Sequence, residues 1–181
     1  PDPPEYRAPY VAEGIRVDGL LGDWPSSAVI TLNPDSHREF GEFDGPEDLD
    51  AKVRFAWDSE YLYFVVKVTD DEVVAKRAGK NIWRDDLFEL YLDPEGDGLF
   101  WKNPSDYQIG FRPGKGDRAL EAWSWFRDGE NPLEGGKVLA KSYTDEKGYI
   151  LEGAIRWDFL GVKLGPDAVI RLSPAIHEID L

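Results

Sequence analysis

The chain has 181 residues, 41% of them hydrophobic and 13% aromatic, which suits one well-packed domain, and it carries a net charge of −15. That acidity argues against nucleic acid or an anionic membrane as a partner, since both demand basic patches, and no apolar run approaches the roughly 20 residues of a membrane span. With no Cys, no Met and only His37 and His177, the chain excludes disulfides, thiolate metal sites, Cys nucleophiles and Met-ligated haem, and argues against a multi-His zinc centre.

The opening PDPPEYRAP reads as the end of a linker or a processed terminus, so residues 1–12 are expected to be an extension of a domain over 13–181. Val53, Phe55 and Trp57 alternate, Asp58-Ser59-Glu60 makes a turn, and Leu62, Phe64, Val66 and Val68 resume the alternation as a hairpin. Asp71–Ala78 is expected to form a helical turn or two. Asp86–Leu92 then alternates as a strand, with Phe88, Leu90 and Leu92 on one face and Leu87, Glu89 and Tyr91 on the other. Further strands are expected at Tyr107–Arg112, Ala119–Trp125, Lys137–Tyr143, Tyr149–Arg156 and Val169–Ser173. The turn Asp145-Glu146-Lys147-Gly148 closes a second hairpin, and Arg156–Leu160 allows a helical turn. Short strands separated by turns predict an all-β fold, an antiparallel two-sheet β-sandwich with minor helical turns.

The run NIWRDDLFELYLDPEGDG (81–98) holds the most chemistry. Trp83 at the mouth of the strand offers an apolar plate, and Glu89 a hydrogen-bond acceptor beside it, which together suit a polyol with apolar C–H faces. The competing reading is a Trp packed inside and a Glu on a solvated strand. Glu89, Gln108 and Arg112 point away from the core if their strands alternate; they supply acceptors, an amide and a fork of donors able to read vicinal hydroxyls, and a solvated sheet face would use the same residue types. Glu121, Trp123 and Trp125 share one parity, so the two indoles either join that face or fill the core from an inverted one; Trp101 is a further stacking candidate. Trp24, Trp57 and Trp157 are assigned to packing. Asp93, Glu95 and Asp97 alternate around Gly96, an arrangement suited to oxygen ligation of calcium at Asp93 and Asp97, or merely to solvation. The chain has no G-x-S-x-G, P-loop, H-E-x-x-H or dinucleotide fingerprint, and the reading is of a protein that is not an enzyme.

IRVDGLLGDW (15–24), VRFAWDSEYLYFVVKVTD (53–70), WRDDLFELYLDPEGD (83–97), DYQIGFRP (106–113) and GYILEGAIRWDFLG (148–161) follow one another in an order that resembles the family 9 carbohydrate-binding modules and their DOMON-like relatives. The resemblance implies a β-sandwich that binds polysaccharide or oligosaccharide without catalysis, with structural calcium, as an accessory domain attached to catalytic or other domains of a larger secreted protein. It puts Trp83 on the first of two clamp positions and Glu89 on the hydroxyl-binding carboxylate. Two departures stand out. Gln108 and Gly110 occupy the places of an Arg-x-Asn pair, and the second clamp Trp, expected near the C-terminus, is missing. They leave a rival reading open: a DOMON-like structural or protein-interaction domain that has lost the sugar site. A haem-binding member of the superfamily is disfavoured by the lack of Met and the scarcity of His.

Overall fold

The computed structural model describes residues 4–32, 44–98, 103, 105–125, 131–133, 135–164 and 168–180. Among these, the strands are β1 (Ile30–Leu32), β2 (Leu49–Trp57), β3 (Tyr61–Asp70), β4 (Leu87–Asp93), β5 (Tyr107–Arg112), β6 (Glu121–Ser124), β7 (Asn131–Pro132), β8 (Val138–Asp145), β9 (Gly148–Arg156) and β10 (Arg171–His177). They form two antiparallel five-stranded sheets, ordered β1-β2-β3-β9-β8 and β10-β4-β5-β6-β7. The architecture is the β-sandwich that the alternating sequence predicts.

Alternation decides what lies between the sheets. Val53, Phe55, Phe64, Val66 and Leu151 from the first sheet meet Phe88, Leu90, Leu92, Ile109 and Phe111 from the second, all essentially without solvent exposure. Phe64 sits at the centre, its ring centroid 5.3 Å from that of Phe88 and 4.8 Å from that of Phe111. Both predicted hairpins form: Trp57 faces Leu62 across the first, and Asp145 faces Gly148 across the second. β1 and β7 went unpredicted, being too short to show a period.

Helical structure departs from expectation in one place. Asp71–Ala78 is not helical. Val73, Val74 and Ala75 are buried in a run without regular secondary structure, and the Asp85 carboxylate accepts from the N–H groups of Lys76 and Arg77 at 2.7 and 2.5 Å, while Asp86 accepts from Val74 N–H. Side-chain acceptors here replace the i−4 carbonyls a helix would use. The helix comes next instead, as a 3-10 turn at Gly79–Arg84 carrying Trp83. Trp157–Leu160 forms the expected single helical turn.

The expected N-terminal extension, residues 1–12, lies against the sandwich from Tyr6 onward. Tyr6 and Ala8 pack on the core, the Tyr6 hydroxyl donates to Ala28 O at 2.7 Å, and Val11 N–H donates to Trp57 O at 2.8 Å. The prolines hide any periodicity, yet their flanking carbonyls still accept: Trp57 N–H reaches Pro9 O at 3.0 Å.

Residues 11–24 then strap the outer face of the first sheet, burying Ile15 and Trp24 against Ala56, Tyr63, Val65 and Ala154. One buried carboxylate holds the strap: Glu152 accepts from Asp18 N–H at 2.9 Å, Gly19 N–H at 2.7 Å and the Trp24 indole N–H at 2.7 Å. Glu152→Gln keeps the shape but turns an amide group toward donors, so it is expected to cost about 1–3 kcal/mol in urea unfolding. A midpoint equal to wild type would show that the strap folds without this anchor.

Candidate functional site

The outer face of the second sheet is built by register. Glu89 of β4 lies opposite Ala175 of β10 and Gly110 of β5, and Gly110 lies opposite Trp123 of β6. One row over, Tyr91 faces Ser173 and Gln108, and Arg112 faces Glu121. Phe88, Leu90, Ile109 and Phe111 take the inward positions of the same strands, which sends Glu89, Gln108 and Arg112 outward as expected.

That face is covered, not solvated. Glu89, Gln108 and Arg112 are 0%, 8% and 2% exposed. The 3-10 turn lies across the sheet: Gly79 N–H donates to Glu121 Oε1 at 2.6 Å, and the Trp125 indole N–H donates to Lys80 O at 3.1 Å. The Trp125 ring fills the space above Gly110, where a Cβ would stand 2.6 Å from the indole. A side chain at position 110 and an indole at 125 therefore exclude each other. This is the physical content of the missing Asn. Trp123 and Trp125 belong to this outer face, while Leu120 and Ala122 turn to the core, so the inverted-face reading of that strand does not hold.

Trp83 keeps 46% of its surface exposed, with the Arg84 guanidinium 5.0 Å from its ring centroid. It is a surface indole rather than a core residue. Its backbone is tied to the sheet through His177, whose Nδ1 lies 3.2 Å from Trp83 O and whose Nε2 lies 2.8 Å from Glu89 Oε2. Tyr91 OH donates to Glu89 Oε2 at 2.9 Å, and Gln108 Nε2 donates to Glu89 Oε1 at 2.9 Å. Glu89 is thus the hub of a polar network that runs to the platform residue. Burial alone would raise its carboxyl, but the hydrogen bond and charge of His177, helped by Gln108 and Tyr91, outweigh burial and leave it below its ordinary value. Burial likewise lowers the imidazole, and the Glu89 hydrogen bond and charge more than reverse that, so His177 is raised.

The pair therefore stabilises the fold most fully above pH 4.5, the ordinary value for Glu, and below pH 6.5, the ordinary value for His. As pH rises through the raised His177 value, or falls through the depressed Glu89 value, that contribution is lost. The melting-temperature gap between wild type and His177→Ala should be widest inside this window and shrink on both sides. A gap independent of pH would mean that the two groups are not an ion pair.

Arg112 spends its donors locally, on Ala119 O at 2.8 Å, Pro113 O at 3.3 Å and Glu121 Oε2 at 3.4 Å, and so shapes the β5–β6 turn. Three buried atoms on this face have no hydrogen-bond partner among the described residues: Gln108 Oε1, Arg112 Nε and Trp123 Nε1. One acceptor and two donors are thus left over for water or ligand hydroxyls. Trp101 lies outside the described residues.

Sequence reasoning overlooked His177 at this site. Its strand was ended at Ser173, whereas β10 continues the alternation to His177, which pairs with Leu87. It overlooked Asp106 at the acidic loop for a similar reason. Asp106 directly precedes Tyr107, the partner of Leu92, so the register carries it to the strand end that holds Asp93. Asp93, Asp97 and Asp106 each bring a carboxylate oxygen within 4.8 Å of the others. The Asp93 carboxylate also caps the loop, accepting from Gly96 N–H at 2.6 Å and Gly98 N–H at 2.8 Å. Three carboxylates in this space fit a hard cation such as calcium.

The half-exposed Trp83 indole and the buried Glu89 network thus lie together on one face of the β-sandwich. Residues 17–178 match the family model described as "Carbohydrate family 9 binding domain-like", and the chain belongs to that family of non-catalytic binding modules. It is 30% identical over 128 residues to endo-1,4-beta-xylanase A of Thermotoga maritima and 25% identical over 130 residues to that of Thermotoga neapolitana. Each alignment covers 71% of this chain and 11% of the xylanase. Among solved structures, two family 9 modules from Caldicellulosiruptor kristjanssonii share the fold. The one in complex with cellotriose has a TM-score of 0.65 at 17% identity, covering 96% of this chain and 78% of its own. The one in complex with glucose has 0.64 at 20% identity, covering 96% and 80%. Carbohydrate binding is the function that this membership assigns.

Proposed function

We propose that the sugar is held on the outer face of the second sheet, a pyranose stacking on Trp83 while Tyr91, His177 and Gln108, organised by Glu89, read its hydroxyls. The observation that supports this most is the half-exposed Trp83 indole tied through its own carbonyl to the His177–Glu89 network. A stacked sugar face removes apolar area from water at about 25 cal/mol per Å² and leaves the ring hydroxyls at the edge, where polar side chains stand. Gluco- and xylo-configured oligosaccharides are the first ligands to try, in line with the cellotriose and glucose bound by the structural neighbours and the xylanases among the relatives. The module itself performs no catalysis. In a secreted polysaccharide-acting protein it would keep a catalytic domain near its substrate by raising effective concentration. Calcium held by Asp93, Asp97 and Asp106 would rigidify the loop that follows β4.

The test is isothermal titration with soluble cello-, xylo-, manno- and galacto-oligosaccharides, in calcium and in chelator. Saturable heat with one class supports the reading. One observation favours the rival interaction domain: Glu89 is fully buried with both oxygens engaged, and Trp125 occupies the space above Gly110. Silence across the panel from folded protein would favour that rival.

A further inference from the structure

The turn that carries Trp83 has a charge opposite to that of the molecule. Across the chain 36 Asp and Glu outnumber 21 Lys and Arg, yet residues 76–84, KRAGKNIWR, hold four cations and no acid. The two acids that follow, Asp85 and Asp86, are buried. Asp85 is engaged by the segment itself, accepting from the N–H groups of Lys76 and Arg77 and from Arg77 Nη1 at 2.7 Å. The Arg77 charge is therefore matched where it stands, while Lys76, Lys80 and Arg84 are exposed.

The fold lays this segment across the sugar face, where Lys80 O accepts from the Trp125 indole and Gly79 N–H donates to Glu121. Arg84 packs on the platform itself, its guanidinium 5.0 Å from the Trp83 ring centroid. No carboxylate among the described residues forms an ion pair with it. The acids of the face are engaged elsewhere. Glu89 is buried with both oxygens bonded, and Glu121 accepts from Gly79 through Oε1 and from Arg112 through Oε2. A guanidinium is a planar fork of donors that matches a carboxylate in two parallel hydrogen bonds, and a neutral hydroxyl gains far less from it.

We infer that the Trp83 site takes an acidic sugar, a hexuronate within a glycan, with its ring on the indole and its carboxylate paired with Arg84; this rests on the sugar-face reading above. A pyranose stacked on an indole holds its ring substituents at the rim, and in a hexuronate one of these is the carboxylate on C5. The net charge of −15 repels an anion at a distance, so recognition depends on local pairing and not on the field of the whole molecule. The basic segment offsets that repulsion at the one place where the ligand sits. An uncharged glycan would leave the Arg84 fork without a matching partner.

The test is calorimetric titration with matched pairs: a glucuronate-bearing xylo-oligosaccharide and an oligogalacturonate, each beside its carboxyl-reduced counterpart. Wild type should bind the charged member of one pair about tenfold more tightly than the reduced one, and the pair that shows this identifies the sugar configuration. In Arg84→Gln the ratio should fall to near one. Arg84→Lys keeps the charge without the fork and should retain part of the preference. Arg84 is exposed, and its carbonyl, which accepts from Arg77, survives both substitutions, so the variants should fold. Lys67→Gln makes the same change of net charge on β3 of the other sheet and should keep the wild-type ratio. Equal binding within both pairs overturns the acidic-sugar assignment and leaves stacking on Trp83 standing. A preference that Arg84→Gln leaves intact, or that Lys67→Gln lowers as much, overturns it too. Folded protein that binds no member, charged or reduced, removes the sugar-face reading and this assignment with it.

Discussion

Trp83→Ala is expected to abolish measurable oligosaccharide binding while moving the urea midpoint hardly at all. The side chain is 46% exposed, sits on a 3-10 turn and contributes nothing to either hydrophobic cluster. Among the described residues it is tied to the site through the backbone carbonyl that faces His177, and Ala retains that carbonyl. Loss of the ring therefore removes stacking area and little else. A stacked pyranose is worth a few kcal/mol at about 25 cal/mol per Å², so affinity should fall by roughly a hundredfold or more. Trp83→Phe, with a smaller plate, should restore part of it. Wild-type affinity in Trp83→Ala would move the sugar to another indole, with Trp125 the first alternative. A large loss of stability would mean that the turn depends on the ring.

How far the sequence could be read depended on whether a feature was local. Strands whose period of two is set by one buried face were legible. Phe88, Leu90 and Leu92 announce β4, and the Asp58-Ser59-Glu60 and Asp145–Gly148 turns announce the hairpins. The direction of Glu89 followed from the same parity, but its burial did not. Burial comes from the 3-10 turn and from β10, which lie elsewhere in the chain and reach Glu89 only through tertiary packing. For the same reason Trp123 and Trp125 could be given a shared parity but not a side of the sheet. Position 110 carries a Gly because an indole fifteen residues later in sequence covers it, and no local pattern contains that fact. His177 and Asp106 were hidden by strand ends and registers, which a single sequence fixes least well. The packing of the Pro-rich start left no trace in the sequence, because Pro removes the donors that create a period while leaving carbonyls to accept.

Glu89→Ala should combine the largest stability loss at the site with loss of binding. The carboxylate is fully buried and serves three groups at once: the His177 imidazole, the Tyr91 hydroxyl and the Gln108 amide. Truncation removes the Glu89 hydrogen bond and charge that raise His177, so burial then favours the neutral imidazole, and the Tyr91 hydroxyl and Gln108 amide lose their carboxylate acceptor. Losing the buried pair and these hydrogen bonds together costs about 3–5 kcal/mol. The loss should be greatest between pH 4.5 and 6.5, where Glu89 is ionised and His177 is charged. Glu89→Gln retains the volume and one carbonyl acceptor, so it should lie between the two. Binding should weaken in both variants, since His177 also braces the Trp83 carbonyl and a loosened imidazole leaves the platform unanchored. An Ala variant as stable as wild type, but unable to bind, would place Glu89 in direct contact with sugar rather than beneath it. The hydroxyls would then be read by the carboxylate itself, and His177 would have to swing aside to admit them.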